Sequence, residues 1–354
     1  MTELAGSDIA IGYDYFSKLR EIVDLDAYKS SFLLTDNFIF ELYSKKIRRI
    51  FERELENNRY MAIPAGEKSK TLPMVEEIGE RMIESGLGKY SVLIALGGGV
   101  VSDLGGLAAS LFSRGIDYIN IPTTLVGQID ASIGGRCGVN LDTANNILGL
   151  FSPPRQVVID PGFLDTLPKD RINDGVVELL KIASVADTDL LAGLESIRCD
   201  FINADDSIKI ELIERAARLK LAVLARDIHQ TGYSEILNFG HTAGDIINSY
   251  GDAEKFASHQ AIAVGMLVAI ELSEFICELN KSVKARLAVN IKRLLGNSFK
   301  LDIKGEELWL RIQHDRERDR GNVKFTLLTD IGSPQVKPVF KDQFLTAYNA
   351  VCGS

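Results

Sequence analysis

The stretch Leu93-Ile94-Ala95-Leu96-Gly97-Gly98-Gly99-Val100-Val101-Ser102-Asp103-Leu104-Gly105-Gly106 decides the fold. An apolar run of strand type stops at consecutive glycines and resumes, from Leu104 to Phe112, as an apolar segment of helical type. Glycines there let backbone N–H groups come close to a ligand, and the helix that follows turns its positive end toward them. That is the geometry that holds a pyrophosphate. The spacing is not G-x-G-x-x-G, so a tight strand-to-helix turn with no ligand stays equally open at this point.

Strands and helices alternate on either side of this turn. Ser31–Asp36 reads as a strand ending in a polar turn, and 38–57 as one charged amphipathic helix. Tyr60–Pro64 is a short strand, followed by Ala65-Gly66-Glu67-Lys68-Ser69-Lys70-Thr71 and a helix from Leu72 to Ser85. A further strand, Tyr118–Pro122, ends at Thr123 and Thr124. Such alternation implies a mostly parallel sheet with helices on both faces and ligands at the carboxyl ends of its strands. Residues 127–160 are glycine-rich and poorly periodic, and read as a long functional loop. From Pro168 the pattern becomes almost entirely helical: 171–185, 187–196, 206–226, 241–249, 259–279 and 282–296. A domain boundary is therefore expected near 168, with an α/β domain over 1–168 and a mostly α-helical domain over 169–354. A small hairpin, Val323–Leu328 with Gln335–Val339, is expected before a last helix.

The 354 residues are enough for about two domains with sizeable cores. A net charge of −9 argues against nucleic acid and anionic membranes as main partners, though not against a phosphorylated small molecule. The N-terminus lacks the basic and apolar segments of a secretory signal, and no run approaches the roughly 18 apolar residues of a membrane span. Cys137, Cys199, Cys277 and Cys352 are scattered without a C-x-x-C pair and read as reduced thiols of a cytoplasmic protein.

In Gly175-Val176-Val177-Glu178-Leu179-Leu180-Lys181-Ile182-Ala183 an acid and a lysine interrupt an apolar helix, spaced to share one face. They read either as an ion pair at the helix surface or as a buried acid that needs a cation or metal to be tolerated. His241 follows Leu237-Asn238-Phe239-Gly240 and starts a helix, with Asp245 one turn later on the same face. His259 opens the next helix. Glu178, His241 and His259 together make the oxygen-and-imidazole set that catalytic zinc accepts, although a single histidine at a helix start is more often a cap or surface residue than a ligand. His229, His314 and the mixed-sign run Asp315–Arg320 read as solvated.

GEKSKTL at 66–72, GGGVVSDLGG at 97–106, SRGI at 113–116, PTTLVGQIDASIGG at 122–135, LPKD at 167–170, VELLK at 177–181 and LNFGHT at 237–242 carry a likeness. Together, in this order, they resemble the 3-dehydroquinate synthase family and, more broadly, the sugar-phosphate cyclases. Iron-dependent alcohol dehydrogenases and glycerol-1-phosphate dehydrogenases share a more distant version of that fold. The resemblance implies a Rossmann-like N-terminal domain for NAD, a helical C-terminal domain for a divalent metal (zinc or cobalt), and a sugar phosphate substrate between them. The implied metal ligands are Glu178, His241 and His259. The implied cofactor contacts are Asp36, Glu67, Lys70, Gly98, Gly99, Asp103, Thr123 and Thr124. Asp130, Asn146, Lys181, Lys220 and Asn238 carry over as substrate contacts. Arg114 matches an arginine that reaches the substrate phosphate of the neighbouring subunit, which implies a homodimer. The implied reaction oxidises an alcohol transiently, eliminates phosphate, returns the hydride and closes a carbocycle by an intramolecular aldol step.

Departures from the family pattern gather at the substrate end. A usual lysine is Arg136, a second one is Asn145, and the second histidine of the usual GHTxGH is Asp245. An arginine associated with the substrate carboxylate is Ser234, the usual HGE reads His259-Gln260-Ala261, and the usual Asp-Lys-Lys reads Asp315-Arg316-Glu317. In the cofactor half the visible change is Ser102 for a glycine. Each lost charged contact is worth about 1.5–3 kcal/mol. The expectation is therefore retained NAD and metal with an altered substrate. The competing expectations are an NAD- and metal-dependent oxidoreductase that eliminates no phosphate, and a non-catalytic NAD-binding descendant.

Overall fold

The computed structural model describes residues 2–4, 7–141, 144–227, 232–250, 257–296, 301–316 and 323–353. His229 and residues 317–320 of the mixed-charge run lie outside the described residues. The chain divides into two compact units, Met1–Leu167 with Lys220–Ala225, and Pro168–Leu219 with Arg226–Ser354.

In chain order the first unit comprises β1 (Thr2–Leu4), β2 (Ser7–Ile11), α1 (Leu19–Ile22), β3 (Ser30–Asp36), α2 (Asn37–Leu42), α3 (Ser44–Ile50), α4 (Glu52–Glu56) and β4 (Tyr60–Ile63). There follow α5 (Leu72–Glu84), β5 (Ser91–Gly97), α6 (Gly99–Leu111), β6 (Asp117–Pro122), β7 (Arg136–Leu141), β8 (Ala144–Phe151) and β9 (Gln156–Ile159). The main sheet has the order β1-β2-β9-β6-β5-β3-β4, parallel throughout except where β1 runs antiparallel to β2.

Every residue of β5 is buried, as a strand covered on both faces requires. Alternate side chains go to opposite cores. Phe32, Leu34, Leu93 and Ala95 pack with Val75, Ile78, Leu104 and Ala108 of α5 and α6. Leu33, Val92, Ile94 and Leu96 pack with Phe16, Leu19, Ile47 and Phe51 on the other side. This is the expected Rossmann-like, doubly wound arrangement. A Cβ on Gly105 would lie 2.8 Å from that of Ala95, so this glycine lets α6 settle directly on the sheet. Chain order reverses between β3 and β5, and Asp36 and Gly97 end those two strands side by side.

Three expectations need correction. The helix expected over 38–57 is α2, α3 and α4, broken at Tyr43 (φ −106°, ψ 18°) and Phe51 (φ −111°, ψ 28°). Both breaks fall at aromatic rings that pack inward, Tyr43 edge-on to Phe163 at 5.0 Å and Phe51 against Phe16 at 6.4 Å. The loop expected over 127–160 instead holds a π-helical turn, Gly127–Ala131, the β7–β8 hairpin, and β9 inside the main sheet. Gly138 faces Gly149 across the hairpin, and glycines in paired strands erase the alternation that marks them. His314 is exposed as expected, but on a helix and not in a loop.

The second unit comprises α7 (Lys169–Ala186), α8 (Thr188–Ser196), most of α9 (Asp206–Arg226), α10 (His241–Ser249), α11 (Ser258–Cys277), α12 (Lys281–Leu295), α13 (Gly305–Arg316), the hairpin β10 (Lys324–Asp330) with β11 (Ser333–Pro338), and α14 (Lys341–Cys352). Its core joins Ile247, Val264, Val268, Leu272, Trp309, Phe325 and Phe344. Among the described residues α11 alone is long and apolar enough to cross a membrane, and 67% of its apolar window is buried inside the protein. An all-round apolar helix that other elements cover in this way is a core helix.

Candidate active site

In the first unit, the β5–α6 turn brings glycine backbone close to its neighbours. Gly98 caps α6 with no side chain bonded to the first-turn N–H groups. A Cβ would lie 3.2 Å from Thr124 Cγ2 at Gly98, and 3.3 Å from Ala131 Cβ at Gly99. The backbone here has negative φ at Gly98, so what favours glycine is the tight space and not the conformation. The Thr123 N–H donates to the Gly97 carbonyl at 2.9 Å. The hydroxyls of Thr35, Ser102 and Thr123 are buried with no hydrogen-bond partner among the described residues. Thr124 Oγ1 accepts from the Gly127 N–H at 3.0 Å. Asp36 caps α2 by accepting from the Ile39 N–H at 2.9 Å, and burial raises its pKa.

Beside this turn lies a polar network that gathers several of the expected residues. Lys70, 5% exposed, pairs with Asp103 and donates to Asn146 Oδ1 at 2.5 Å. The Asn146 N–H donates to Asn140 Oδ1 at 2.8 Å, and Asn140 Nδ2 donates to Glu67 Oε1 at 2.8 Å. Burial raises the Asp103 pKa against the opposing charges of Lys70 and Lys220, with Glu67 adding to the rise. Lys220, on α9, pairs with the carboxylate and the backbone carbonyl of Asp130. Two expected residues stand apart. Arg136 is exposed, 5.8 Å over the Phe151 ring. Arg114 is exposed on a turn where Ser113 (φ 50°), Arg114 (φ 63°) and Gly115 (φ 105°) are all left-handed.

In the second unit, α7, α10 and α11 position the remaining side chains. Gly240, in the left-handed region at φ 85°, caps α10 and starts it at His241. A Cβ on Gly265 of α11 would lie 2.0 Å from the Gly240 carbonyl, so α10 and α11 meet backbone to backbone. Glu178 and Lys181 are 7% and 4% exposed and pair at 2.5 Å. The two alternatives for this acid and lysine are thereby resolved: the ion pair is real, and it is buried. His241 Nε2 lies 3.0 Å from the other oxygen of Glu178 without a well-aligned hydrogen bond. Its Nδ1 is 3.0 Å from Asp245 Oδ1. His259 is 3% exposed; its N–H donates to Asp174 Oδ1 at 3.0 Å and its Nδ1 is 3.4 Å from the same oxygen. Asn238 ends a 3-10 turn, Tyr233–Asn238, and is half-buried. Ser234 donates its N–H to the buried Asp227 at 2.7 Å.

Burial by itself would push the His241 imidazole toward its neutral form. The Glu178 carboxylate reverses that, Lys181 opposes, the Asp245 hydrogen bond adds, and the pKa rises to about 9. Among the described residues no three His, Cys, Asp or Glu side chains close around one point as they stand. The donor chemistry nonetheless suits a divalent ion. Two ligands of a tetrahedral metal with bonds of about 2.0–2.1 Å lie roughly 3.3 Å apart, close to the 3.0 Å between His241 and Glu178. Sequence reasoning missed Asp174 and Asn140. Asp174 stands four residues before Glu178 on α7, so its spacing carried a signal.

The chain belongs to the 3-dehydroquinate synthase family. Residues 60–174 match the family's N-terminal domain and residues 175–318 its C-terminal domain. It is 33% identical over 338 residues to the 3-dehydroquinate synthase of Thermoanaerobacter pseudethanolicus, covering 95% of each chain. Its fold is similar to a 2-deoxy-scyllo-inosose synthase solved with carbaglucose-6-phosphate, NAD+ and Co2+, at TM-score 0.86 and 23% identity over 99% of each chain. It is also similar to the 2-epi-5-epi-valiolone synthase of Streptomyces hygroscopicus subsp. jinggangensis solved with NAD+ and Zn2+, at TM-score 0.85 and 24% identity over 99% of this chain and 98% of the other.

Proposed function

We propose that the chain is an NAD- and metal-dependent sugar-phosphate cyclase that eliminates phosphate and closes a carbocycle, acting as a homodimer on a substrate altered from that of 3-dehydroquinate synthase. The observation that carries this reading is the cluster of buried Glu178 and Lys181 with half-buried His241, and buried His259 beside Asp174. The α/β domain, residues 1–168, would bind NAD, with Gly98 and Gly99 at the pyrophosphate, Asp36, Glu67, Lys70, Asp103, Thr123 and Thr124 around the dinucleotide, and the open hydroxyl of Thr123 as a donor. The helical domain, residues 169–354, would hold zinc or cobalt through Glu178, His241 and His259. When bound, NAD supplies reversible hydride transfer, and the divalent ion supplies positive charge to a developing alkoxide.

The chain's own residues do the rest. Lys181, fixed on Glu178, presents a buried ammonium that can stabilise negative charge or move a proton. Asp130 and Lys220 form a second acid–cation pair that orients substrate hydroxyls, with Asn146 and Asn238 as neutral donors. Arg114 stands exposed on its left-handed turn, where it can reach a second copy of the chain, and Arg136 is a further exposed cation for phosphate. Ser234 offers no cation to a carboxylate, which favours a non-carboxylated substrate.

The test is inorganic phosphate release with NAD and zinc from 3-deoxy-arabino-heptulosonate 7-phosphate, sedoheptulose 7-phosphate and glucose 6-phosphate in parallel. Release from one of the latter two without net NADH is expected. Release from none, with NADH accumulating, favours a second reading: an oxidoreductase that eliminates no phosphate. Asp245, an anion where the family pattern has a histidine, is the feature that motivates it.

Metal uptake should depend on pH. The proton on His241 leaves at about pH 9 in the metal-free protein, and a metal must displace it. Apparent zinc affinity is therefore expected to rise about tenfold per pH unit from pH 7 toward that value, with close to one proton released per ion. In the metal-free form the sign for stability is the reverse. A raised pKa stabilises the fold fully below the unfolded value of about 6.5, and that contribution is lost as pH climbs through about 9. Calorimetric titration in buffers of different ionisation heat checks the proton count. A pH-independent affinity would contradict the assignment of His241 as a ligand.

A further inference from the structure

Asp245 occupies the place where the family pattern has a second histidine, and its carboxylate is turned along its own helix. His241 is the first residue of α10 and Asp245 lies one turn later. Side chains on a helix lean toward its N-terminus, so the Asp245 carboxylate reaches back over the first turn to His241 Nδ1 at 3.0 Å. The other ring nitrogen, Nε2, faces Glu178 at 3.0 Å and is buried without a well-aligned hydrogen bond. The imidazole thus has one edge fixed by a carboxylate and the other turned to a metal-type donor. At His259 the contact is looser: Nδ1 is 3.4 Å from Asp174 Oδ1 without a hydrogen bond, and that oxygen accepts the His259 backbone N–H.

We infer that Asp245 is a positioning residue for the metal centre: it fixes the tautomer and ring orientation of His241, so that this position serves a metal ligand and no longer the substrate. The inference rests on the reading of His241 as a ligand. An Nδ1–H donated to a carboxylate leaves the lone pair of Nε2 for the ion and makes the imidazole a stronger donor. A carboxylate also lacks the proton that a histidine at this position could give to a departing phosphate. An ordinary i, i+4 surface pair would stabilise α10 slightly and leave metal affinity unchanged. The two roles are therefore separable by measurement.

The experiment titrates the metal-free full-length protein with Co2+, reading both the visible absorption of the bound ion and its affinity, for wild type, Asp245→Ala and Asp245→Asn. Asp245→Ala is expected to lose about tenfold to a hundredfold in Co2+ affinity with an altered spectrum, as for other lost outer-shell partners. Asp245→Asn keeps an acceptor for Nδ1–H but not the charge, and should fall between. Far-UV circular dichroism of each metal-free variant confirms folding, and Asp245→Asn decides the matter should Asp245→Ala fail to fold. Wild-type affinity and an unchanged spectrum in both variants would overturn the role of Asp245 while leaving the metal centre standing. A wild-type protein that takes up neither Co2+ nor Zn2+ would overturn the metal centre and the inference together.

Discussion

Replacing His241 by alanine should abolish metal binding and turnover while the nucleotide-binding unit still folds and binds NAD. His241 is the only imidazole placed directly on Glu178 among the described residues, at 3.0 Å. Loss of an outer-shell partner alone costs roughly 10–100-fold in metal affinity, so loss of a ligand should exceed about 100-fold. The variant should fold, because Glu178 keeps its ion pair with Lys181 and no buried charge is left uncompensated. NAD binding should also survive, since the β5–α6 turn belongs to the other compact unit. Metal content after dialysis against zinc, NAD titration by fluorescence and phosphate release form the test. Stoichiometric zinc with full activity in His241→Ala would remove His241 from the metal set.

The parts of this design that rest on one segment's own chemistry were legible in the sequence. β5 and α6 read correctly because the apolar run Leu93–Leu96 ends at consecutive glycines and lies among alternating strand and helix patterns, and those flanks settle what a short run alone does not. Glu178 and Lys181 were placed on one face by their spacing alone. Whether that face was wet or dry depended on what packs over α7, which spacing does not encode. The strands β7, β8 and β9 were missed because glycines and a four-residue apolar run carry no period. The breaks at Tyr43 and Phe51 escaped for a related reason: the segment is amphipathic throughout, and it is the distant rings of Phe163 and Phe16 that draw it inward. The spacing of Asp174 to Glu178 was visible, but its partner was not, since His259 stands on another helix 85 residues on. Local signals pointed to the candidate ligands, and long-range packing supplied the carboxylate beside His259.

Lys181→Met is expected to weaken the metal-free protein sharply and to make its stability depend on the metal. Lys181 and Glu178 are both buried, and the substitution keeps an unbranched apolar stem while deleting the terminal ammonium. Leaving one member of a buried pair uncompensated costs about 3–5 kcal/mol. For a unit of this size that corresponds to a fall of roughly 6–20 °C in Tm. At neutral pH the His241 imidazolium offsets part of the loss, since it holds its proton to about pH 9. The deficit should therefore grow once that proton is lost, which in the variant needs a pH above about 9 because the opposing charge of Lys181 is gone. Zinc would bring a new positive charge to the same carboxylate. The gain in Tm on adding zinc should then be larger in Lys181→Met than in wild type, even though turnover is lost with the ammonium. Paired thermal melts with and without zinc, at pH 7 and pH 9.5, measure both effects. An equal or smaller zinc-induced gain in the variant would mean that the ammonium and the metal do not answer to the same carboxylate, and Glu178 would have to leave the ligand set.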